Sequence, residues 1–192
     1  FGDMAIGLSA KSLSFGDILH TTAEDPNGYQ EAYFSPKYIT ISASVAKMFF
    51  DRVAFGATFK VISETFIQTS ASGIAFDMGV QYKAATMPLS LGVTLKNIGV
   101  KMKFSGNDSE QQLDPAGSED GTISEHFEVP SQTFEIPASL DIGLTYTVAN
   151  MVNLHGVFKN NSFGFNEYRL GADYSMKTDA FGAWVGGGTS FI

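Results

Sequence analysis

No cysteine occurs in the 192-residue chain. Disulfides and thiolate metal sites are therefore excluded, and the redox compartment cannot be read from the thiols. No run of about 18 apolar residues is present either, so no transmembrane helix is expected. Charge is sparse, at 17% of residues, and its balance of -8 leaves no basic stripe of the kind that phosphate backbones require. A nucleic-acid partner is not expected. The chain opens on Phe1-Gly2-Asp3 without an initiator Met, a basic n-region or an apolar h-region. It reads as a processed or truncated piece forming one domain over residues 1–192.

Sites for chemistry are equally scarce. Gly186-Gly187-Gly188 lacks the following helix and the lysine of a phosphate-binding loop. The acids Asp108, Glu110, Asp114, Glu119, Asp120, Glu125 and Glu128 lack the regular ligand register of a calcium loop and read as a solvated segment. Of three histidines, His20 and His126 fall in predicted loops, and His155 lies on a predicted strand in phase with Asn153 and Lys159. His155 reads as a hydrogen-bonding residue, because a general base needs a nucleophile within reach. No catalytic residue, metal ligand or cofactor is expected, and the chain reads as non-enzymatic.

What is abundant is glycine (20) and phenylalanine (17), set in a two-residue alternation. Val53, Phe55, Ala57, Phe59 and Val61 are apolar, with Ala54, Gly56, Thr58 and Lys60 between them. Ile74, Phe76, Met78, Val80 and Tyr82 alternate in the same way with Ala75, Asp77, Gly79, Gln81 and Lys83. The pattern recurs near 3–15, 37–48, 89–95, 140–148, 152–158, 168–174 and up to Ile192, which predicts nine strands. Between them the connections read long (16–36), short (49–51), medium (65–72), short (84–88), long (99–137), short (149–151), medium (160–166) and short (177–180).

In an up-and-down antiparallel sheet, alternate connections share an end, so all the short turns gather at one end and the longer loops at the other. Outer-membrane barrels have this asymmetry, whereas a soluble sandwich has no reason for it. The non-apolar face supports the same expectation. Lys60, Asp77, Lys96, Asp141, His155, Arg169 and Asp173 are candidates to line a polar lumen, where a charge costs little. On the lipid side a lysine or arginine would cost about 2–4 kcal/mol at mid-bilayer. Their alternating signs fit either a cross-strand register ladder or a filter for what passes. Aromatics gather near strand ends (Phe15, Phe49, Phe50, Phe66, Tyr82, Phe104, Tyr146, Phe163, Tyr174), as in an interfacial girdle.

Two runs carry a family likeness: Asp51-Arg52-Val53-Ala54-Phe55-Gly56-Ala57-Thr58-Phe59-Lys60-Val61-Ile62-Ser63-Glu64, and Ser70-Ala71-Ser72-Gly73-Ile74-Ala75-Phe76-Asp77-Met78-Gly79. With Leu95-Lys96-Asn97-Ile98-Gly99, Met102-Lys103-Phe104-Ser105-Gly106 and Asn166-Glu167-Tyr168-Arg169-Leu170-Gly171-Ala172-Asp173-Tyr174, the chain resembles the PorV/PorQ family of outer-membrane proteins. The resemblance implies an antiparallel transmembrane β-barrel related to FadL-type fatty acid transporters, larger than the nine strands seen here. This chain lacks the family's N-terminal hatch and recognisable last strands. The implied location is the bacterial outer membrane. The implied role is type IX secretion, with lipid, secreted cargo proteins and secretion-system components as partners. A FadL-like channel for hydrophobic solutes such as long-chain fatty acids is the alternative, and an outer-membrane hydrolase a third.

Overall fold

The structure, a computed structural model, describes residues 4–21, 25–28, 32–106, 110–113, 125–128, 131–149, 151–177 and 182–192. Among the described residues there is no helix. The strands, in chain order, are β1 (Met4–Ser14), β2 (Ile18–Leu19), β3 (Tyr33–Phe34), β4 (Lys37–Phe49), β5 (Val53–Phe66), β6 (Thr69–Lys83) and β7 (Leu89–Gly99). They continue with β8 (Ser105–Gly106), β9 (Glu110–Leu113), β10 (Glu125–Glu128), β11 (Ser139–Val148), β12 (Val152–Asn161), β13 (Asn166–Lys177) and β14 (Gly182–Phe191). The nine long ones form a single sheet in the order β1-β4-β5-β6-β7-β11-β12-β13-β14, with β8 attached to β6. Every pairing is antiparallel, so the up-and-down arrangement expected from the alternation is present.

The sheet is open. β1 and β14 are its edges and do not pair with each other. An odd number of antiparallel strands leaves the two edges running parallel, so the antiparallel ladder cannot close between them. No closed barrel is thus formed among these nine strands, which the resemblance takes as part of a larger one.

The loop reading needs correction at two connections. Residues 65–72 are not a medium loop: β5 and β6 continue through them in register from Ser63↔Ser72 to Phe66↔Thr69, joined only by residues 67–68. Ile67 takes the left-handed φ of 52° that this tight turn demands. Thr65, Thr69, Ser70 and Ser72 read as loop residues, yet the ladder carries Thr65, Ser70 and Ser72 on outward positions and turns Phe66, Thr69 and Ala71 inward, with Ala71 fully buried. The loop expected at 160–166 likewise shrinks to 162–165. Both long connections nevertheless lie at one end of the sheet. Each carries a short strand pair: β2 pairs with β3 in the first, and β9 with β10 in the second. The acids Asp108, Asp114, Glu119 and Asp120 lie outside the described residues.

The two faces reverse the pattern of a water-soluble protein. Outward positions carry Ile41, Phe55, Met78, Leu144 and Leu170, which remain 59%, 53%, 53%, 43% and 55% exposed, while polar Thr58, Lys60, Asp77, Thr94 and Asp141 on the other face are half-buried. Charges on the apolar face sit at strand ends, as at Lys47, whose Nζ lies 5.1 Å from the Phe49 ring centroid. Its stem covers apolar surface and its head leaves it.

Among the described residues the buried apolar core is small, comprising Ile62, Ala71, Ala75 and Met102. It lies on the polar side of β5 and β6, near the end that carries the long connections. Met102 reaches it from the β7–β11 connection, and the Met102 and Phe134 backbones exchange two hydrogen bonds of 2.8 and 2.9 Å. Phe104 stacks on Phe134 at 5.3 Å, and Ile136 packs alongside. Phe104 is therefore a cap residue and not part of an interfacial girdle. Gly99 must lack a side chain here, since a Cβ would stand 2.4 Å from the Ile74 carbonyl oxygen and 2.8 Å from Ile136 Cδ1.

Candidate functional site: the polar face of the sheet

All seven lumen-lining candidates lie on the polar face, and the structure resolves them into separate pairs. Lys60 Nζ donates to Asp77 Oδ2 at 2.6 Å across β5 and β6. Lys96 Nζ donates to Asp141 Oδ2 at 2.7 Å across β7 and β11. His155 and Asp173 meet at 2.5 Å across β12 and β13. Arg169 is held within its own strand, its Nε and Nη2 donating to the two carboxylate oxygens of Glu167 at 2.7 and 2.8 Å. Asp141 Oδ1 is buried and has no hydrogen-bond partner among the described residues.

A bulge explains why Lys96 turns to Asp141 and away from Asp77. The β6–β7 register shifts between Phe76 and Met78, from Phe76↔Ile98 to Met78↔Leu95. Leu95 and Ile98 both face outward although three residues apart, which requires one extra residue. Asn97 sits at that point with a left-handed φ of 58°. Its backbone N–H donates to Asp77 Oδ1 at 2.8 Å, its Oδ1 accepts from Lys60 at 2.8 Å, and its Nδ2 donates to the Pro137 carbonyl at 2.9 Å. The bulge thereby ties the ion pair to the base of the long connection. Asn97 is not among the expected site residues, although the broken alternation at Leu95-Lys96-Asn97-Ile98 is a visible sign of it.

A second network spans β11 to β13. Thr145 Oγ1 lies 3.0 Å from His155 Nδ1, Asn153 Nδ2 donates to Asp173 Oδ2 at 2.9 Å, and Thr147 Oγ1 donates to Asn153 Oδ1 at 2.8 Å. Asn153 shares the face of His155 by parity, as the sequence suggests, whereas only the ladder register places Thr145 and Thr147 beside them. Since most of these charges are paired with the opposite sign at contact distance, the ladder reading fits better than an ion filter, which needs unpaired charge. Among the described residues no three metal-ligating side chains converge.

At the end carrying the long connections, the polar face opens into a cleft of about 630 Å³ with Leu13, Phe15, Tyr38, Phe66 and Phe104 as apolar walls and Lys11 and Glu64 among its lining. Phe66 also packs edge-on against Phe34 at 5.1 Å, so it belongs to this cleft rather than to an outer girdle. Comparison of the chain with protein-family models, curated proteins and solved structures finds no match.

Proposed function

We propose that this sheet is the wall of an outer-membrane β-barrel, its apolar face against lipid and its polar face toward a lumen. The reversal of faces carries the reading: exposed Ile, Leu, Phe and Met side chains on all nine strands would form a patch far beyond the few hundred Å² that soluble monomers leave uncovered. Cysteine scanning tests it directly, because the chain has no native thiol. With the protein in membranes, a membrane-impermeant maleimide should label cysteines at 58 and 60 and spare those at 57 and 59. Equal labelling of both sets would reject the wall.

Within that wall, the role that the sequence resemblance suggests is surface delivery of secreted proteins, with the two long connections receiving cargo. It needs no catalytic group. Replacing residues 107–126 by a short Gly/Ser linker should leave assembly intact and lower the display of secreted proteins in the native host. One observation favours a second reading, passage of hydrophobic solutes. The aromatic cleft beside Phe66 and Phe104 supplies the apolar inner pocket that such a route needs. Unchanged display with reduced uptake of a long-chain fatty acid would make that reading the better one.

A further inference from the structure

On the polar face of β11, β12 and β13, Thr145, His155 and Asp173 stand in line. Thr145 Oγ1 is 3.0 Å from His155 Nδ1, and His155 Nε2 is 2.5 Å from Asp173 Oδ1. An ionised carboxylate only accepts, so Nε2 carries the ring proton and Nδ1 is left to accept from the Thr145 hydroxyl. The carboxylate is itself oriented. Its second oxygen takes the Asn153 amide N–H, and Asn153 is held in turn by Thr147. A hydrolase requires a nucleophile within reach of His155, and Thr145 meets that distance.

Space for a substrate lies beside the ring. His155 is 38% exposed on its side chain. Thr145 is half-exposed on the open polar face on the β11 side of the ring, and a cleft of about 460 Å³ adjoins the ring on the β13 side, lined in part by Val157, Arg169, Gly171, Gly188 and Ser190 and not by Thr145. Its floor is kept bare by the backbone, since a Cβ on Gly188 would stand 2.8 Å from the Leu170 carbonyl oxygen. We infer that Thr145, His155 and Asp173 form a hydroxyl–imidazole–carboxylate relay that hydrolyses small acyl esters, an activity beyond the wall role.

Thr145 Oγ attacks the ester carbonyl carbon as its proton passes to His155 Nδ1, and Asp173 holds the resulting imidazolium through Nε2–H. Collapse breaks the bond to the alcohol oxygen, which leaves with the Nδ1 proton, giving acyl-Thr145 and neutral imidazole. Water then attacks the acyl carbon and gives its proton to Nδ1. That proton returns to Thr145 as the carboxylic acid is released. Atoms and charges balance with water as the only co-reactant.

The test uses the full-length protein, isolated in detergent, with p-nitrophenyl acetate and butyrate as substrates and a fluorophosphonate as covalent probe. Turnover is expected to fall at least about 100-fold in T145A, H155Q and D173N. T145S keeps the hydroxyl and should retain measurable turnover where T145A does not, and mass spectrometry should find the probe on Thr145. Should T145A fail to fold, T145S and labelling of the unaltered protein still decide. If neither the unaltered protein nor T145S hydrolyses either ester, or if the probe settles on another residue, the relay is a purely structural ladder and the inference is overturned. That failure would leave the wall reading untouched, since maleimide accessibility does not depend on turnover.

Discussion

Lysine at position 93 is expected to prevent stable insertion of the sheet into a bilayer, whereas lysine at the next position leaves insertion intact. Val93 faces outward between Val80 and Ile142, near the middle of β7. A lysine there places its charge in hydrocarbon at about 2–4 kcal/mol, roughly a 30- to 1000-fold loss in the folded population. Thr94 faces the other way, opposite Asp141, whose buried Oδ1 has no hydrogen-bond partner among the described residues. A lysine at 94 therefore meets a carboxylate oxygen that lacks a donor. Urea titration of the refolded V93K and T94K proteins in phosphatidylcholine vesicles measures the difference. Equal losses at 93 and 94 would reject a two-faced sheet.

The second large effect belongs to Asp77. Its carboxylate takes Lys60 on one oxygen and the Asn97 backbone N–H on the other. The two charged side chains are only 19% and 17% exposed. D77A leaves the ammonium with Asn97 Oδ1 alone and releases the left-handed Asn97, so a loss of about 3–5 kcal/mol is expected. D77N retains an acceptor for Asn97 and should lose less. Adding K60M to D77A should recover more than half of the loss, because no lone cation then remains. Equilibrium unfolding in urea reads all three. A D77A loss under about 1 kcal/mol would mean that water screens the pair as it does at a surface.

The sheet itself was legible because a two-residue period carries both strand and face, and nine such runs specify nine strands. Their polar residues could be assigned to one face from parity alone, which is why Lys60, Asp77, Lys96, Asp141, His155, Arg169 and Asp173 share the polar face. Parity fails where an extra residue enters. Asn97 resets the phase within β7, and only the register reveals that Lys96 is thereby handed to Asp141. Composition misled at residues 65–72, since Thr and Ser signal a turn, while the ladder carries Thr65, Ser70 and Ser72 on outward positions near the strand ends. The Thr145–His155 contact and the meeting of Met102 with Phe134 join residues on different strands or at opposite ends of a long connection. No local pattern encodes such meetings.

The Met102–Phe134 bridge also bears on the order of assembly. Most of the long strands join their sheet neighbours through tight turns, at small loop-closure entropy, but β7 meets β11 only after residues 100–138 have been gathered, and β1 meets β4 only across residues 15–36. Contacts of high sequence separation form slowly. In kinetic terms β4–β7 and β11–β14 are two pre-zipped blocks, and β7–β11 is the seam between them. The bridge, with Phe104 stacked on Phe134, pinches the base of that connection and holds Gly99 near Ile136. It acts as the clasp that lets the seam close from one end, so weakening it should slow the joining of the blocks more than the zipping of either.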